Sequence, residues 1–137
     1  MTYINLKQNA NPCFLGKLPL SKHLKREVMA SCKITVLRKM INRDFVDEYS
    51  SLDLSDQCLG CHLLTVGQEF LVEDHNNIPE GFCAWAWGDI QKDVTHIMFD
   101  GSYPWMKKPG TAISSCSDGL MPVIFKIEKL NETNPES

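Results

Sequence analysis

The sequence predicts an α+β domain in which a small antiparallel sheet packs on one main helix and ends in a C-terminal β-hairpin. Three observations favour this class. Alternating or β-branched runs occur at 33–38 and 68–73, an apolar stripe with helical spacing follows at 82–98, and two strand-like runs lie near the end of the chain. Strands grouped around a single long helix are typical of an antiparallel sheet with the helix on one face.

Composition and charge narrow the class of protein further. The chain has 137 residues, 43% of them hydrophobic and 23% charged, which suits one globular domain. A net charge of -3 with only isolated basic pairs predicts no nucleic-acid partner. No apolar run reaches the roughly 20 residues of a membrane span, and the N-terminus lacks the pattern of a signal peptide. We therefore expect a cytoplasmic protein that does not bind membranes.

Three regions are expected along the chain. Residues 1–30 are polar, without a sustained period, and are expected to form an irregular or weakly helical extension. Purine-rich codons for the residues just before Met29 can spell a ribosome-binding sequence, so Met29 is a candidate for the true start. Residues 31–130 are expected to form the single α+β domain, and 131–137 a frayed tail.

The first half of the domain is expected to contain two strands and a short helix. The run 33–38 predicts a strand, and Asp44 is placed to cap a helix that continues to Tyr49. A polar loop follows at 50–60. The run 68–73 predicts the second strand, which a turn-forming cluster ends.

The second half is expected to contain the main helix and a hairpin. The helix is predicted over 82–98, with Gly101 ending it. Its apolar stripe consists of Phe82, Ala86, Ile90, Val94 and Ile97. Two strands are predicted at 111–117 and 122–129, and the Asp118-Gly119 dipeptide between them is a strong hairpin signal.

Several long motifs between residues 32 and 130 make the chain similar to a known family. They read Pro-Glu-Gly-Phe-Cys-Ala-Trp-Ala-Trp at 79–87, Trp-Met-Lys-Lys-Pro-Gly-Thr at 105–111, and Cys-Ser-Asp-Gly at 116–119 before Pro-Val-Ile-Phe-Lys at 122–126. On these motifs the chain resembles a small prokaryotic family that carries no functional name.

The resemblance separates the six cysteines into two sets. It implies that Cys61, Cys83 and Cys116 are the family-type cysteines and leaves Cys13, Cys32 and Cys58 outside the pattern. Two positions depart from the family. His62 stands where the family has proline, and Met121 where it has arginine. The second departure weakens any role for a basic group beside the hairpin.

The cysteines are the strongest candidates for chemistry, because disulfides are rare in a reducing cytosol. Cys83 is predicted in the first turn of the main helix, where unpaired amides and the helix dipole favour a thiolate. If Cys61 and Cys116 converge on it, the three form a metal-binding or thiol-redox centre. The competing interpretation is that each thiol is a separate packing residue, since free cysteine is often buried.

A metal at this centre would be zinc or iron. Three thiolates with a fourth ligand suit zinc, and three protein ligands can also hold an iron–sulfur cluster with one open iron. The candidate fourth ligands are Cys58, His62 and Asp118. The Cys58-x-x-Cys61 pair alone is a weak signal, because a zinc ribbon needs a second pair.

Two further functions remain open. A metal-free enzyme or small-molecule-binding protein would use Trp85, Trp105, Asp89 and Cys83 in an aromatic-lined pocket. Asp89 also shares a helix face with Asp93 and His96, which suits acid–base chemistry or a divalent cation, although a solvated face is the commoner outcome. Phe82 and one tryptophan are expected in the core. The last possibility is a structural or interaction module, with a homodimer through an exposed sheet edge. The sequence leaves undecided whether the protein is an enzyme.

Overall fold

The structure is a computed structural model that describes residues 30–131. Within that range it confirms an α+β fold with an antiparallel sheet and a C-terminal pair of strands. The expectations for residues 1–29, including the start at Met29, lie outside the described residues, as does the tail from residue 132 onward.

Four strands and two helices make up the described fold. In chain order they are β1 (Cys32–Lys39), α1 (Arg43–Tyr49), β2 (Glu69–Val72), α2 (Ala84–Met98), β3 (Thr111–Ser115) and β4 (Val123–Lys129). The strands are hydrogen-bonded in the order β2-β1-β4-β3, and every neighbouring pair is antiparallel. The two central strands are therefore β1 and β4, with the shorter β2 and β3 at the edges.

The core lies between α2 and one face of this sheet. Alternate residues of the central strands point into it, because successive side chains of a strand face opposite ways. From the sheet these are Cys32, Ile34, Val36, Val123, Phe125 and Ile127, and from α2 they include Ala86, Ile90, Val94 and Ile97. Burying one large aliphatic side chain contributes about 1.5–3 kcal/mol, so this layer is the main source of stability.

The opposite face of the sheet is polar at its centre. Lys33 Nζ lies 2.9 Å from Glu69 and 3.5 Å from Glu128, and Lys126 Nζ lies 3.2 Å from Glu128. Lys33 on β1 thus pairs across the strands with Glu69 on β2 and Glu128 on β4, while Lys126 and Glu128 are neighbours on one face of β4. These ion pairs are partly exposed and contribute little to stability.

The ends of the described domain meet at one end of the two central strands, β1 and β4. The Leu130 N–H donates a hydrogen bond of 2.8 Å to the Ser31 carbonyl, directly beyond the paired ends of β1 and β4. The described segment therefore begins and ends at the same place.

Helix α1 begins differently from the sequence expectation. Asp44 does not cap it but lies in its first turn, and the N-cap position belongs to Asn42. Asn42 makes no side-chain capping bond; its amide donates instead to the Gly119 carbonyl at 2.7 Å. A tertiary contact with the β3–β4 loop thus replaces local capping.

Helix α2 begins two residues later than predicted, with Cys83 as its extended N-cap residue. At its other end Asp100, not Gly101, adopts the left-handed conformation, with φ 63°. The Asp100 N–H donates to the Ile97 carbonyl and the Gly101 N–H to the His96 carbonyl, which is the pattern of a Schellman motif. Gly101 is required for space, because a Cβ there would collide with His96.

The predicted C-terminal hairpin is confirmed as the antiparallel pair of β3 and β4, although both strands are shorter on the turn side than the sequence predicts. The strands are joined by residues 116–122. Asp118 Oδ1 accepts hydrogen bonds from the backbone N–H groups of Leu120 and Met121, at 2.9 and 3.1 Å. Asp118 thus forms a side-chain-to-backbone turn inside the connecting loop.

Between residues 30 and 131, no helix has the length and apolar character needed to cross a lipid bilayer.

Two glycine substitutions test the account of α2. We expect Gly101→Ala to lower the free energy of unfolding by about 1–3 kcal/mol, because His96 must move to admit the methyl group. Gly88→Ala is the matched control: Gly88 is an exposed residue inside α2 with nothing near its Cβ position. It should raise stability by about 0.5–1 kcal/mol, because alanine is the better helix former. Chemical denaturation measures both, and equal effects of the two substitutions would contradict this account.

Candidate functional site

A cavity of about 300 Å³ lies at the end of the sheet where α2 begins. The elements that meet there are the N-terminus of α2, the loop before β2 and the loop between β3 and β4. The cavity, which we call the cysteine pocket, is lined by Cys61, Leu63, Leu64, Cys83, Trp85, Ala86, Cys116, Asp118, Met121 and Val123. Three cysteines far apart in sequence therefore line one cavity.

Cys83 is placed by the start of α2. The turn before the helix is closed by a hydrogen bond from the Phe82 N–H to the Pro79 carbonyl, and the Cys83 carbonyl accepts the Trp87 N–H at 2.9 Å. Phe82 anchors this junction, because its ring is buried with its edge against Phe70 at a centroid distance of 4.9 Å. The thiol is half-buried against the core.

Cys116 directly follows β3 and continues its pairing with β4. Its N–H donates to the Val123 carbonyl at 3.1 Å, and the Val123 N–H donates to Cys116 Sγ at 3.2 Å. The sulfur thus occupies the place that a backbone carbonyl would take in a regular ladder. The next residue, Ser117, is held by Asp89 Oδ2, which accepts hydrogen bonds from its N–H at 2.8 Å and its hydroxyl at 2.9 Å.

Cys61 is placed by a close approach between its loop and the end of β1. Gly60 is buried with φ 98°, and a Cβ there would lie 3.1 Å from the Met40 carbonyl oxygen. Only glycine adopts this backbone conformation at low cost. Lys39 Nζ then donates to the Cys61 carbonyl at 2.9 Å. The thiol of Cys61 is half-buried against the core.

The other predicted sulfur and nitrogen ligands do not line the pocket. Cys58 Sγ lies 3.9 Å from the Gly60 carbonyl, and His62 is exposed. Cys32 is completely buried in the core, where burial raises the pKa of its thiol to about 12. Cys32 is therefore a packing residue. Of the proposed fourth ligands, only Asp118 reaches the pocket lining.

The metal interpretation receives no support from the side-chain positions. Within residues 30–131, no three His, Cys, Asp or Glu side chains are gathered closely enough to hold one metal ion. The cysteines in this range are all free. Zinc and iron therefore stay predictions, while the meeting of the three cysteines at one cavity is an observation.

The aromatic residues do not share a single pocket. Trp85 lines the cysteine pocket, is 75% exposed, and donates from Nε1 to the Ser117 hydroxyl at 3.4 Å. Trp105 lies outside it and stacks on Tyr103 with a ring distance of 4.8 Å. Phe82 and Trp87 are buried, which confirms the expectation that Phe82 and one tryptophan fill the core.

Asp89, Asp93 and His96 do not form a common site. Asp89 bonds Ser117, whereas Asp93 Oδ1 accepts from the Tyr103 hydroxyl at 2.5 Å and Asp93 Oδ2 from the Ser114 hydroxyl at 2.6 Å. The His96 ring packs against Tyr103 at 4.5 Å. Both carboxylates therefore attach α2 to β3 and the loop after it.

The Asp93 network shifts two pKa values in opposite directions. Burial opposes ionisation of Asp93, but hydrogen bonds from Ser114, Tyr103 and Lys92 outweigh it and hold its pKa below the ordinary value. The hydrogen bond to Asp93, with burial, raises the pKa of Tyr103 to about 12. Asp93 is thus a buried, ionised structural residue.

The sequence does not identify five apolar residues of the lining as site residues: Leu63, Leu64, Ala86, Met121 and Val123. Ala86 is predicted only as part of the apolar stripe, and Met121 stands out only as a departure from the family pattern. The two leucines follow Cys61 in a loop without periodicity, so no spacing signal was available to identify them.

No protein-family model, curated protein or solved structure matches this chain significantly. The resemblance to the prokaryotic family accordingly stays a prediction.

The Asp93 network predicts a defined response to acid. Because the folded-state pKa of Asp93 is lowered, its stabilising contribution is present above its unfolded pKa, near 3.9, and is lost as the pH falls through the folded value. Tyr103→Phe should lower the free energy of unfolding by about 1.5–3 kcal/mol at neutral pH. It should also flatten the decline below about pH 4.

The matched control is Lys92→Gln, which removes an exposed partner of Asp93. It should change the free energy of unfolding by less than about 1 kcal/mol. Denaturation curves at several pH values make the comparison, and equal losses for Tyr103→Phe and Lys92→Gln would show that the Tyr103 hydroxyl is not the important donor.

Proposed function

We propose that the cysteine pocket is a thiol-redox centre that acts on a small molecule in the cytoplasm, with Cys83 as the attacking thiol. The observation that carries this proposal is that Cys61, Cys83 and Cys116, from three separate loops, line one cavity. Cys32 is a packing residue and is completely buried in the core. The three pocket cysteines differ from it, because they are only half-buried and line a cavity.

Cys83 is the natural attacking thiol because of its position at the N-cap of a 15-residue helix. The first N–H groups of a helix lack partners within the helix, and its dipole favours negative charge at this end. Cys83 makes no side-chain capping bond in the structure. A thiolate at this position would face the unpaired amides of the first turn, which is a recurring arrangement at reactive cysteines.

Cys116 suits the role of resolving thiol. Its sulfur already accepts the Val123 N–H at 3.2 Å, and an amide donor of this kind supports negative charge on the sulfur. The loop that carries it is attached to α2 through Asp89, so Cys116 keeps a fixed relation to the helix that carries Cys83. Cys61 is the alternative resolving thiol on the same cavity.

The reaction proposed is exchange with a low-molecular-weight disulfide. The Cys83 thiolate attacks one sulfur of the disulfide; the sulfur–sulfur bond breaks, a mixed disulfide forms, and the first small thiolate leaves and takes up a proton. The resolving thiolate then attacks Cys83 Sγ and releases the second small thiol. Two protein thiols are oxidised to one disulfide while the small disulfide is reduced to two thiols, and the reverse reaction uses the same steps.

A metal centre is the second candidate, because the same three thiols with Asp118 form a donor set that zinc or iron accepts. It would require the side chains to move closer together than they are in the structure. Elemental analysis of protein purified without oxygen distinguishes the candidates. Stoichiometric zinc or iron that disappears in Cys83→Ser would favour the metal centre over the redox centre.

Single cysteine substitutions test the redox proposal. Reduced protein is treated with a small disulfide, and the products are mapped by mass spectrometry. We expect Cys83→Ser to slow the first step at least about tenfold, because a nucleophile is lost. The variant of the resolving thiol, Cys116→Ser or Cys61→Ser, should accumulate a mixed disulfide at Cys83.

Cys58→Ser is the matched control, since Cys58 lies outside the pocket lining. It should leave the rate and the products unchanged. Equal reactivity of Cys83→Ser and the unaltered protein, or a first mixed disulfide at Cys58, would contradict the proposal.

A further inference from the structure

We propose that the cysteine pocket selects uncharged aromatic disulfides and disfavours anionic ones. Trp85 offers a surface on which an aromatic ring can stack, and the carboxylate of Asp118 repels anions. This inference rests on the proposed thiol chemistry and names the class of substrate for it. It follows from the size of the cavity, the residues of its rim and the sign of its charge.

The size and lining of the cavity limit what it can hold. Its volume of about 300 Å³ is at the lower end for small-molecule sites. Apart from the three thiols and Asp118, the lining is apolar, and consists of Leu63, Leu64, Trp85, Ala86, Met121 and Val123. A ligand that leaves water for this surface gains most if its body is apolar as well.

The rim of the cavity exposes apolar surface that a ligand would cover. Trp85 is 75% exposed and Leu63 58% exposed, although both line the cavity. The indole of Trp85 is oriented by its hydrogen bond to the Ser117 hydroxyl. A tryptophan held in this way presents a flat face, and aromatic groups stack favourably on such a face.

Asp118 gives the pocket a negative charge. It is the one charged residue in the part of the lining formed by residues 30–131. Its carboxylate is held in place because Oδ1 accepts hydrogen bonds from the Leu120 and Met121 N–H groups. The nearby cation Lys39 is outside the lining and donates to the Cys61 carbonyl. A second carboxylate, Asp89, bonds the adjacent Ser117. An anionic ligand would therefore meet repulsion from Asp118, and no cationic side chain among residues 30–131 lines the pocket to offset it.

Two aromatic disulfides of different charge make the test. Dithiodipyridine is uncharged at neutral pH, whereas dithiobis(nitrobenzoate) carries one carboxylate on each ring. Both release coloured products, so the rate of the first attack is read by absorbance. Each rate is divided by the rate of the same probe with free cysteine, which removes the intrinsic reactivity of the probe. We expect this normalised rate to be at least about tenfold higher for the uncharged probe at low salt.

Substitutions then assign the selectivity to the two residues. Asp118→Asn keeps the oxygen acceptor for Leu120 and Met121 but removes the charge, and should speed the anionic probe several-fold at low salt. That gain should shrink at 1 M salt, where the screening length is about 3 Å. Trp85→Ala should slow the uncharged aromatic probe several-fold and leave an uncharged aliphatic disulfide unchanged.

Asp47→Asn is the matched control for net charge, because Asp47 is exposed on α1 and outside the lining. It should change neither rate. Equal normalised rates for the two probes, or equal effects of Asp118→Asn and Asp47→Asn, would overturn the inference.

The two proposals fail in different ways. Selective formation of a mixed disulfide at Cys83 without any later protein disulfide would remove the redox function and leave the substrate class intact. A protein disulfide formed at the same normalised rate from both probes would contradict the substrate class and leave the redox function intact.

Discussion

The packing of α2 on one face of the sheet is the constraint on which the rest of the structure depends. Ile90, Val94 and Ile97 on the helix and Ile34 and Phe125 on the sheet are almost completely buried. Closely packed interiors resist displacement, so the helix has one position relative to the strands. Each residue at the start of α2 is therefore fixed against the loops at the same end of the sheet. The cysteine pocket is a product of that single interface.

Two carboxylates on α2 complete this arrangement. Asp93 accepts a hydrogen bond from Ser114 near the end of β3, and Asp89, one helical turn earlier, accepts two from Ser117 in the loop that follows. Cys116 lies between these two serines, so the backbone on both sides of its thiol is tied to the helix. Asp89 and Asp93, which the sequence offers as acid–base candidates, thus hold the segment that carries Cys116 in position.

The sequence was informative where periodicity is strong. Alternating or β-branched runs predict β1 and β2, and the stripe ending at Ile97 predicts α2, because a buried face requires a regular pattern. Strand-like runs on either side of Asp118-Gly119 predict β3 and β4. Local signals were less reliable where tertiary contacts compete with them. Asp118-Gly119 is a strong turn signal, yet Asp118 bonds Leu120 and Met121 and the loop is longer. Gly101 resembled the left-handed end of α2, but Asp100 takes that conformation and Gly101 supplies space.

The candidate site was only partly predictable for a related reason. Motif resemblance selects Cys61, Cys83 and Cys116, and the structure places all three on one cavity. Their side chains are not gathered closely enough to hold a metal ion, so the convergent centre stays a prediction. The positions of the Trp105 and Leu63 side chains depend on the direction in which residues of a loop point. No spacing rule gives that direction, because loops lack a repeating geometry.

The hydrogen bond between Leu130 and Ser31 has a consequence for engineering. It joins the two ends of the described domain at the end of the central strands opposite the pocket, since α2 starts where β1 finishes and β4 begins. Domains whose ends are adjacent accept circular permutation and insertion into host loops. This fold is accordingly a graftable module: a short linker across Leu130 and Ser31 would leave the thiols open at the far end.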